Sequence, residues 1–463
     1  MDDMSRLQQW FSEGAALLAA GNAAEALVRF QAASRIDPRN ATLSLYCGAA
    51  LHSLGRYEDA VDAYRHGLMI APDMGQMHNN LGNSLMALQR FPEAVESFSK
   101  ACYLLPSSPV PLTARATALL ALGKVVEGET DCRNALQLDS SFAAAHWNLA
   151  LHLLLQGRYR EGWQEYEWRW LKPDFTSPRR HTDIPLWDGT DLGGRTILLH
   201  AEQGFGDAIQ FIRYSRLVAQ CGGKVIVECH PELVQIMQTC AGVQRVVPFG
   251  DDLPDFDVQI PFMSLPRVLG TTLQTIPYDC PYLFVPTDHR IMWANLPNAN
   301  RAALKVGIAW AGKSYPDPLR SCRLADLIPL VAIESAQFYS LQLNVGADQA
   351  HLSEPVLPMI DMTGQISNFA DTAAIIEQLD LVISIDTAVA HLAAALGKTV
   401  ILMLPFAPDW RWLLEGSSSP WYPTMQIFRQ NHPGDWSDVI SRIQSTLEIL
   451  TANKKSFEKN SKD

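Results

Sequence analysis

Three stretches of this sequence combine charged side chains with glycine or a helix start, the pairing that chemistry on phosphates and hydroxyls requires. The first, "HAEQGFGDAIQF" at 200–211, follows an apolar run and sets Gly204, Gly206 and Asp207 at the head of a helical pattern. A dinucleotide site would need a third glycine there and an acid about 20 residues on, for the ribose hydroxyl. Glu228 supplies such an acid, but Ile209 stands in the third glycine position, and Asp207 would turn an anion toward the pyrophosphate. What is left is a turn that presents a carboxylate. The second stretch, "ISIDTAVAHLAAALG" at 383–397, ends a strand in Asp386 and Thr387 and starts a small-residue helix at once. The exposed amides and positive end of such a helix suit a phosphate, and His391, one turn on from Thr387, reaches the same ligand. Capping by Asp386 or Thr387, with His391 packed on the sheet, accounts for the same residues. The third, "IAWAGKSYPDPLRSCR" at 308–323, is a glycine-containing loop carrying Lys313, Arg320 and Arg323. Cations so placed suit a diphosphate; plain surface charge is the alternative.

These motifs need strands to present them. From 196 onward, short apolar runs ("TILLH", "KVIVEC", "RVVPF") alternate with amphipathic segments, the rhythm of parallel strands joined by crossover helices. A proline-rich stretch at "YDCPYLFVPTDHR" interrupts, and a second series runs through "KVGIAWAG", "QFYSLQL", "LVISI", "TVILML" and "MQIFRQ". Two Rossmann-like halves follow, 195–290 and 291–452. Ligands in such sheets bind beyond the carboxyl ends of the strands, so the cleft between facing halves is the expected site. Loop shape around Gln342, Asp361 and Thr363 would set ligand specificity.

The first third is a repeat. "GNAAEALVRF", "GRYEDAVDAY", "QRFPEAVESF", "GKVVEGETDC" and "GRYREGWQEY" begin at 21, 55, 89, 123 and 157, a step of 34 residues each time. A small residue recurs (Ala26, Ala60, Ala94, Gly128, Gly162), then an aromatic four places on (Phe30, Tyr64, Phe98, Tyr166), with Cys132 the exception. The small residue lets antiparallel helices approach, the aromatic fills the groove, and Pro38, Pro72 and Pro106 stop the second helix. This resembles the tetratricopeptide (TPR) repeat over roughly residues 7–170, which implies a superhelix whose concave face holds a peptide or protein partner. A domain at 1–172, a Trp- and Pro-rich linker at 173–194 and a disordered tail at 453–463 complete the expected organisation, with Trp163, Trp168, Trp170 and Trp187 packing the junction.

Bulk properties narrow the function classes. At 463 residues the chain expects two or three domains. Its net charge of -12 argues against a general nucleic-acid binder. No apolar run reaches the roughly 18 residues of a membrane span and the start lacks a signal-peptide layout, so a cytoplasmic protein is expected. The 8 cysteines are scattered, without metal-ligand spacing. The Asp-x-Asp of "DFD" at 255–257 opens an apolar strand in the first half, away from the candidate phosphate site of the second, so no metal is expected.

Taken in order and spacing, the three stretches resemble the heptosyltransferase-like glycosyltransferases over residues 195–450. That resemblance implies a metal-independent GT-B fold acting on nucleotide-activated sugars, with no cofactor. It puts the general base at Asp207 and the donor diphosphate at Asp386, Thr387 and His391, where Ala388 replaces the usual glycine. The basic loop residue falls on Arg320, with Lys313 as rival; Asp409, Trp410 and Arg411, which follow a strand end, are placed to touch the donor sugar, and Trp412, Trp421 and Tyr422 read as packing. Gly204 and Gly206 would make a tight turn near the acceptor. The TPR fusion resembles enzymes that glycosylate proteins, bacterial flagellin glycosyltransferases among them. The implied reaction is inverting transfer to a Ser or Thr hydroxyl of a protein, flagellin-like, held by the repeats. The alternatives are a lipopolysaccharide or other glycan acceptor with the repeats used for assembly, and a non-catalytic TPR adaptor.

Overall fold

A computed structural model of the chain describes residues 2–297, 304–313, 318–343 and 358–460. It divides into two compact units, Met1–Leu153 and Leu154–Asp463.

The first unit is built from antiparallel helix pairs: α1 (Asp3–Ala19) and α2 (Ala23–Ile36), α3 (Ala41–Ser53) and α4 (Tyr57–Ile70), α5 (Gly75–Ala87) and α6 (Phe91–Leu104), then α7 (Pro109–Ala121) and α8 (Val125–Leu138), followed by α9 (Ala143–Leu155). The second helices end at Ile36, Ile70 and Leu104, two residues before Pro38, Pro72 and Pro106, as the proline's missing donor requires. The spacing of small and aromatic residues has a steric cause. A Cβ at Gly14 or Gly82 would lie 2.6 Å from the Phe30 ring or 2.5 Å from the Phe98 ring, and Gly48 meets Tyr64 in the same way. Each of these rings therefore packs against a glycine of the preceding helix, while Ala26, Ala60 and Ala94 are fully buried. The fourth unit breaks the pattern on both sides at once: Ala116 takes the glycine's place, Cys132 the ring's, and the two pack together. Gly128 makes room for the imidazole of His152, into which a Cβ would run.

The second unit opens with α10 (Tyr159–Tyr166), the second helix of the fifth repeat. The sequence places the boundary at 172, whereas α10 is compact with the α/β part. Two parallel sheets follow. In the first, β1 (Thr196–His200), β2 (Lys224–Cys229), β3 (Val243–Pro248) and β4 (Val258–Pro261) lie in the order β3-β2-β1-β4. In the second, β5 (Leu304–Ala309), β6 (Ala336–Ser340), β7 (Met359–Asp361), β8 (Leu381–Ile385), β9 (Thr399–Leu404) and β10 (Met425–Arg429) lie in the order β10-β9-β8-β5-β6-β7. Near-continuous Val, Ile and Leu runs suit strands covered on both faces. The sheets share a fastening. Asp257, just before β4, accepts a hydrogen bond from the Thr196 amide at 2.7 Å, and Asp380, just before β8, accepts one from the Lys305 amide at 2.7 Å. "DFD" thus pins the start of a neighbouring strand.

Three expectations change. The 173–194 segment is not a free linker: Leu186 bridges Gln259 of β4, with Trp187 N–H donating to Gln259 O at 2.9 Å, and Arg180 and His181 both pair with Glu228. That pairing also removes Glu228 from any ribose-binding role. The last helix spans Ser437–Asn460, so residues 453–460 of the expected disordered tail continue a helix. The break expected between the halves at 290 falls inside a short helix, Thr287–Met292, which Arg290 fastens to Glu377.

Candidate functional site

In the first half the site grows from the carboxyl end of β1. His200 is buried, its Nε2 2.9 Å from the Gln259 Oε1, and burial pushes its pKa down to about 3. Glu202 is then gripped by Arg169, whose Nη2 donates to both carboxylate oxygens at 3.0 Å; Arg169 also bonds Ser264 and Glu167 and has no solvent exposure. Gly204 caps α11 (Phe205–Phe211), and its amide donates to Asp207 Oδ2 at 3.0 Å. Asp207 therefore closes the first turn of its own helix, where the positive end favours a carboxylate. Gly204 has φ -70°, and a Cβ there would meet only Asp207 at 3.7 Å. Gly206 has a sharper reason: a Cβ would lie 3.0 Å from His391 Cδ2 and 3.7 Å from Ala388 Cα. It serves close approach of the second half, where the sequence suggested a turn facing an acceptor.

In the second half β8 runs into Asp386 and Thr387, the latter capping α12 (Ala388–Ala395) while its hydroxyl lies 3.0 Å from that of Ser384. His391 is buried and held on three sides. Its Nδ1 lies 2.8 Å from the Tyr422 hydroxyl, its Nε2 3.5 Å from Asp386 Oδ1, and its ring stacks on Trp412. The Trp412 indole N–H donates to Asp386 Oδ2 at 2.8 Å. Burial works against the Asp386 carboxylate, but the hydrogen bonds from His391 and Trp412 and the Arg411 charge outweigh it and hold its pKa below the usual carboxylate value. Of the two rival cations, Arg320 reaches this point: its Nη1 donates to Asp386 O at 3.4 Å and its Nη2 to Lys313 O at 3.1 Å, over a bare Gly312. Its buried Nε has no partner among the described residues. Lys313 is exposed, and Arg323 turns aside to pair with Asp326. Residues 314–317 of this loop lie outside the described part. Gln342 Oε1 accepts from the Trp310 and Ala311 amides at 2.8 Å, fixing the exit of β5, and Asp361 closes a turn on Thr363.

Asp409 and Arg411 occupy a short 3-10 turn after β9, and here the structure departs from expectation. Arg411 is buried with its guanidinium engaged: Nε donates to Gln210 Oε1 at 2.6 Å, Nη1 to Asp409 at 2.8 Å, and Nη2 to Asp207. It faces the first half. Burial disfavours its charged form, yet Asp409 and Asp207 more than compensate and raise its pKa. Trp412 and Tyr422, read as packing, are packed and also supply the polar tips that hold Asp386 and His391. Trp421 does pack, stacking on Tyr159 and donating its indole N–H to the Tyr159 hydroxyl at 3.1 Å. Among the described residues, no group of three or more His, Cys, Asp or Glu is placed to hold a metal, and no helix is long and apolar enough to cross a membrane.

Repeated helix pairs followed by two parallel sheets make a TPR array joined to an α/β domain, an architecture consistent with a glycosyltransferase domain. Sequence comparison agrees: tetratricopeptide repeat models match residues 17–79 and 113–167, and the model of glycosyltransferase family 9 (heptosyltransferase) matches residues 353–404. That last match contains Asp386, Thr387 and His391. Protein FlbA of Caulobacter vibrioides is 25% identical over 373 residues, which cover 73% of this chain and 61% of the relative, so the chain spans less than two thirds of that protein's length. Among solved structures, PilF of Pseudomonas aeruginosa shares 20% identity over 36% of this chain and 76% of its own (TM-score 0.34). MamA of Desulfovibrio magneticus RS-1 shares 18% over 35% and 90% (TM-score 0.32).

Proposed function

We propose that the chain transfers a sugar from a nucleotide-sugar donor to a Ser or Thr hydroxyl of a protein acceptor, flagellin-like in kind, that the repeats hold on their concave face. The observation that carries this reading is the contact of Gly206 with His391: it sets the helix start bearing Asp207 beside the helix start of Asp386 and Thr387. In the reaction, an acceptor hydroxyl oxygen attacks the anomeric carbon while Asp207 takes its proton. The bond from that carbon to the diphosphate oxygen breaks, and the departing nucleoside diphosphate receives the free amides of α12 and the Arg320 guanidinium. Attack opposite the leaving group inverts the anomeric centre, within a GT-B arrangement that uses neither metal nor cofactor. A protein hydroxyl offers little local shape, so binding energy gathered on the repeats would place it at the base.

The test compares the intact masses of proteins retained by the full-length chain from cells that make it and from cells that lack it. A sugar increment that disappears in the deletion strain and in an Asp207→Asn strain supports protein transfer. An increment on a lipopolysaccharide or other glycan instead favours the heptosyltransferase description of the matched family. No increment on either class, with retention intact, leaves a non-catalytic adaptor.

A further inference from the structure

The 3-10 turn Trp410–Trp412, opened by Asp409, reaches three places with consecutive side chains. Trp410 enters an aromatic cluster with Trp163 of α10, ring centres 5.0 Å apart. Arg411 crosses to the first half and pairs with Asp207 and Gln210. Trp412 turns back to the second half, where it bonds Asp386 and stacks on His391. The turn is itself pinned, because Asp409 Oδ1 accepts from the Arg411 amide at 3.0 Å as well as from its guanidinium.

We infer that this turn is a positioning element of the transferase: Arg411 fixes Asp207, and Trp412 fixes the Asp386–His391 pair, so one rigid piece sets the distance between base and leaving group. The inference rests on the proposed function for its meaning and on the contacts alone for its geometry. Among the described residues, Asp207 is otherwise held only through the Gly204 amide, on a seven-residue helix. A lone carboxylate at the end of so short an element would sample several rotamers. Arg411, buried and bonded at Nε, Nη1 and Nη2, removes that freedom with a planar donor that cannot shed its proton. Trp412 acts likewise on Asp386, whose other oxygen faces His391. Arg411 and Trp412 touch no reacting atom in this scheme; they act through Asp207 and through Asp386 and His391.

Peptide-resolved amide exchange on the full-length chain tests the geometry. Arg411→Gln should speed exchange in peptides covering 201–208 by at least about tenfold, the scale of one charge-assisted hydrogen bond, while 388–395 keeps its protection. Arg411→Lys should recover part of that protection, and Trp412→Phe should loosen 384–392 but not 201–208. Unchanged exchange at 201–208 in Arg411→Gln, or an equal rise throughout the α/β unit, overturns the inference. In cells, the mass increment should appear at least about tenfold more slowly with Arg411→Gln and recover in part with Arg411→Lys; an Arg411→Gln rate equal to wild type also overturns it. Full transfer by Asp207→Asn would remove the base assignment and leave the exchange result standing, so the two failures are distinguishable.

Discussion

Removing the repeats is the obvious way to isolate the α/β part, and the structure predicts that the cut suggested by the sequence destroys it. A chain starting at 173 loses Tyr159, Trp163 and Tyr166, all but fully buried, and the wholly buried Arg169. Loss of Arg169 leaves Glu202 with an uncompensated charge in the interior, a change that costs about 3–5 kcal/mol when one partner of a buried pair is removed. Loss of Trp163 opens the aromatic cluster around Trp410 and Phe211, and deleting one such side chain costs about 3–5 kcal/mol. These two terms together come to about 6–10 kcal/mol, against the roughly 5–15 kcal/mol that holds a domain folded. A chain starting at Leu154 keeps every one of these residues and should unfold cooperatively. The assay is urea denaturation of both chains followed by tryptophan fluorescence and circular dichroism. The 173 chain should be insoluble or show no cooperative transition. Equal midpoints for the two chains would refute the assignment of α10 to the α/β unit.

Two further predictions concern the motif turn. Because His200 has its pKa pushed down to about 3 by burial, chiefly, with the nearby Arg180, His181 and Arg169 charges adding to it, the unfolded chain takes up a proton below about pH 6.5 that the native chain refuses, and stability falls by about 1.4 kcal/mol per pH unit. The stability advantage of wild type over His200→Gln should therefore shrink by about 2 kcal/mol between pH 7 and pH 5; an advantage independent of pH would show that His200 is not held neutral. Gly206→Ala gains about 0.5–1 kcal/mol of helix preference but presses a Cβ to 3.0 Å from a histidine already held by Asp386, Tyr422 and Trp412. The urea midpoint should hardly move while the mass increment is lost, and retention of full transfer would show that the His391 position is not critical.

How much of this was legible in the sequence depends on whether the signal was a spacing or a partnership. The repeat is readable because a small residue and an aromatic four places on recur every 34 residues, whereas the packing of Phe30, Tyr64 and Phe98 against Gly14, Gly48 and Gly82 emerges only in the structure. The strands were readable from their apolar runs, and with them the order of Asp207, Arg320 and Asp386 along the carboxyl ends. The allegiance of α10 was not, because its repeat register is unbroken and only the side chains it meets reveal where it packs. The tail was misread for a related reason: its polar composition hid a helix that begins upstream.

The turn at 409–412 shows most clearly what a linear reading omits. "DWRW" offers no spacing that distinguishes surface charge and packing from a device joining two halves. Yet the physical clue was present: an indole N–H or a guanidinium taken out of water must find an acceptor, and a Trp- and Arg-rich loop leaving a strand end can find one only among the polar groups at neighbouring strand ends. Those groups are Asp207, Gln210 and Asp386, two of which the motifs had already marked. Counting donors against acceptors at one edge of the sheets marks Arg411 and Trp412 as groups that need polar partners there, and the coordinates say which partners they take. The same count separates the two arginines: the three Arg411 nitrogens already have partners, whereas the buried Arg320 Nε has none among the described residues.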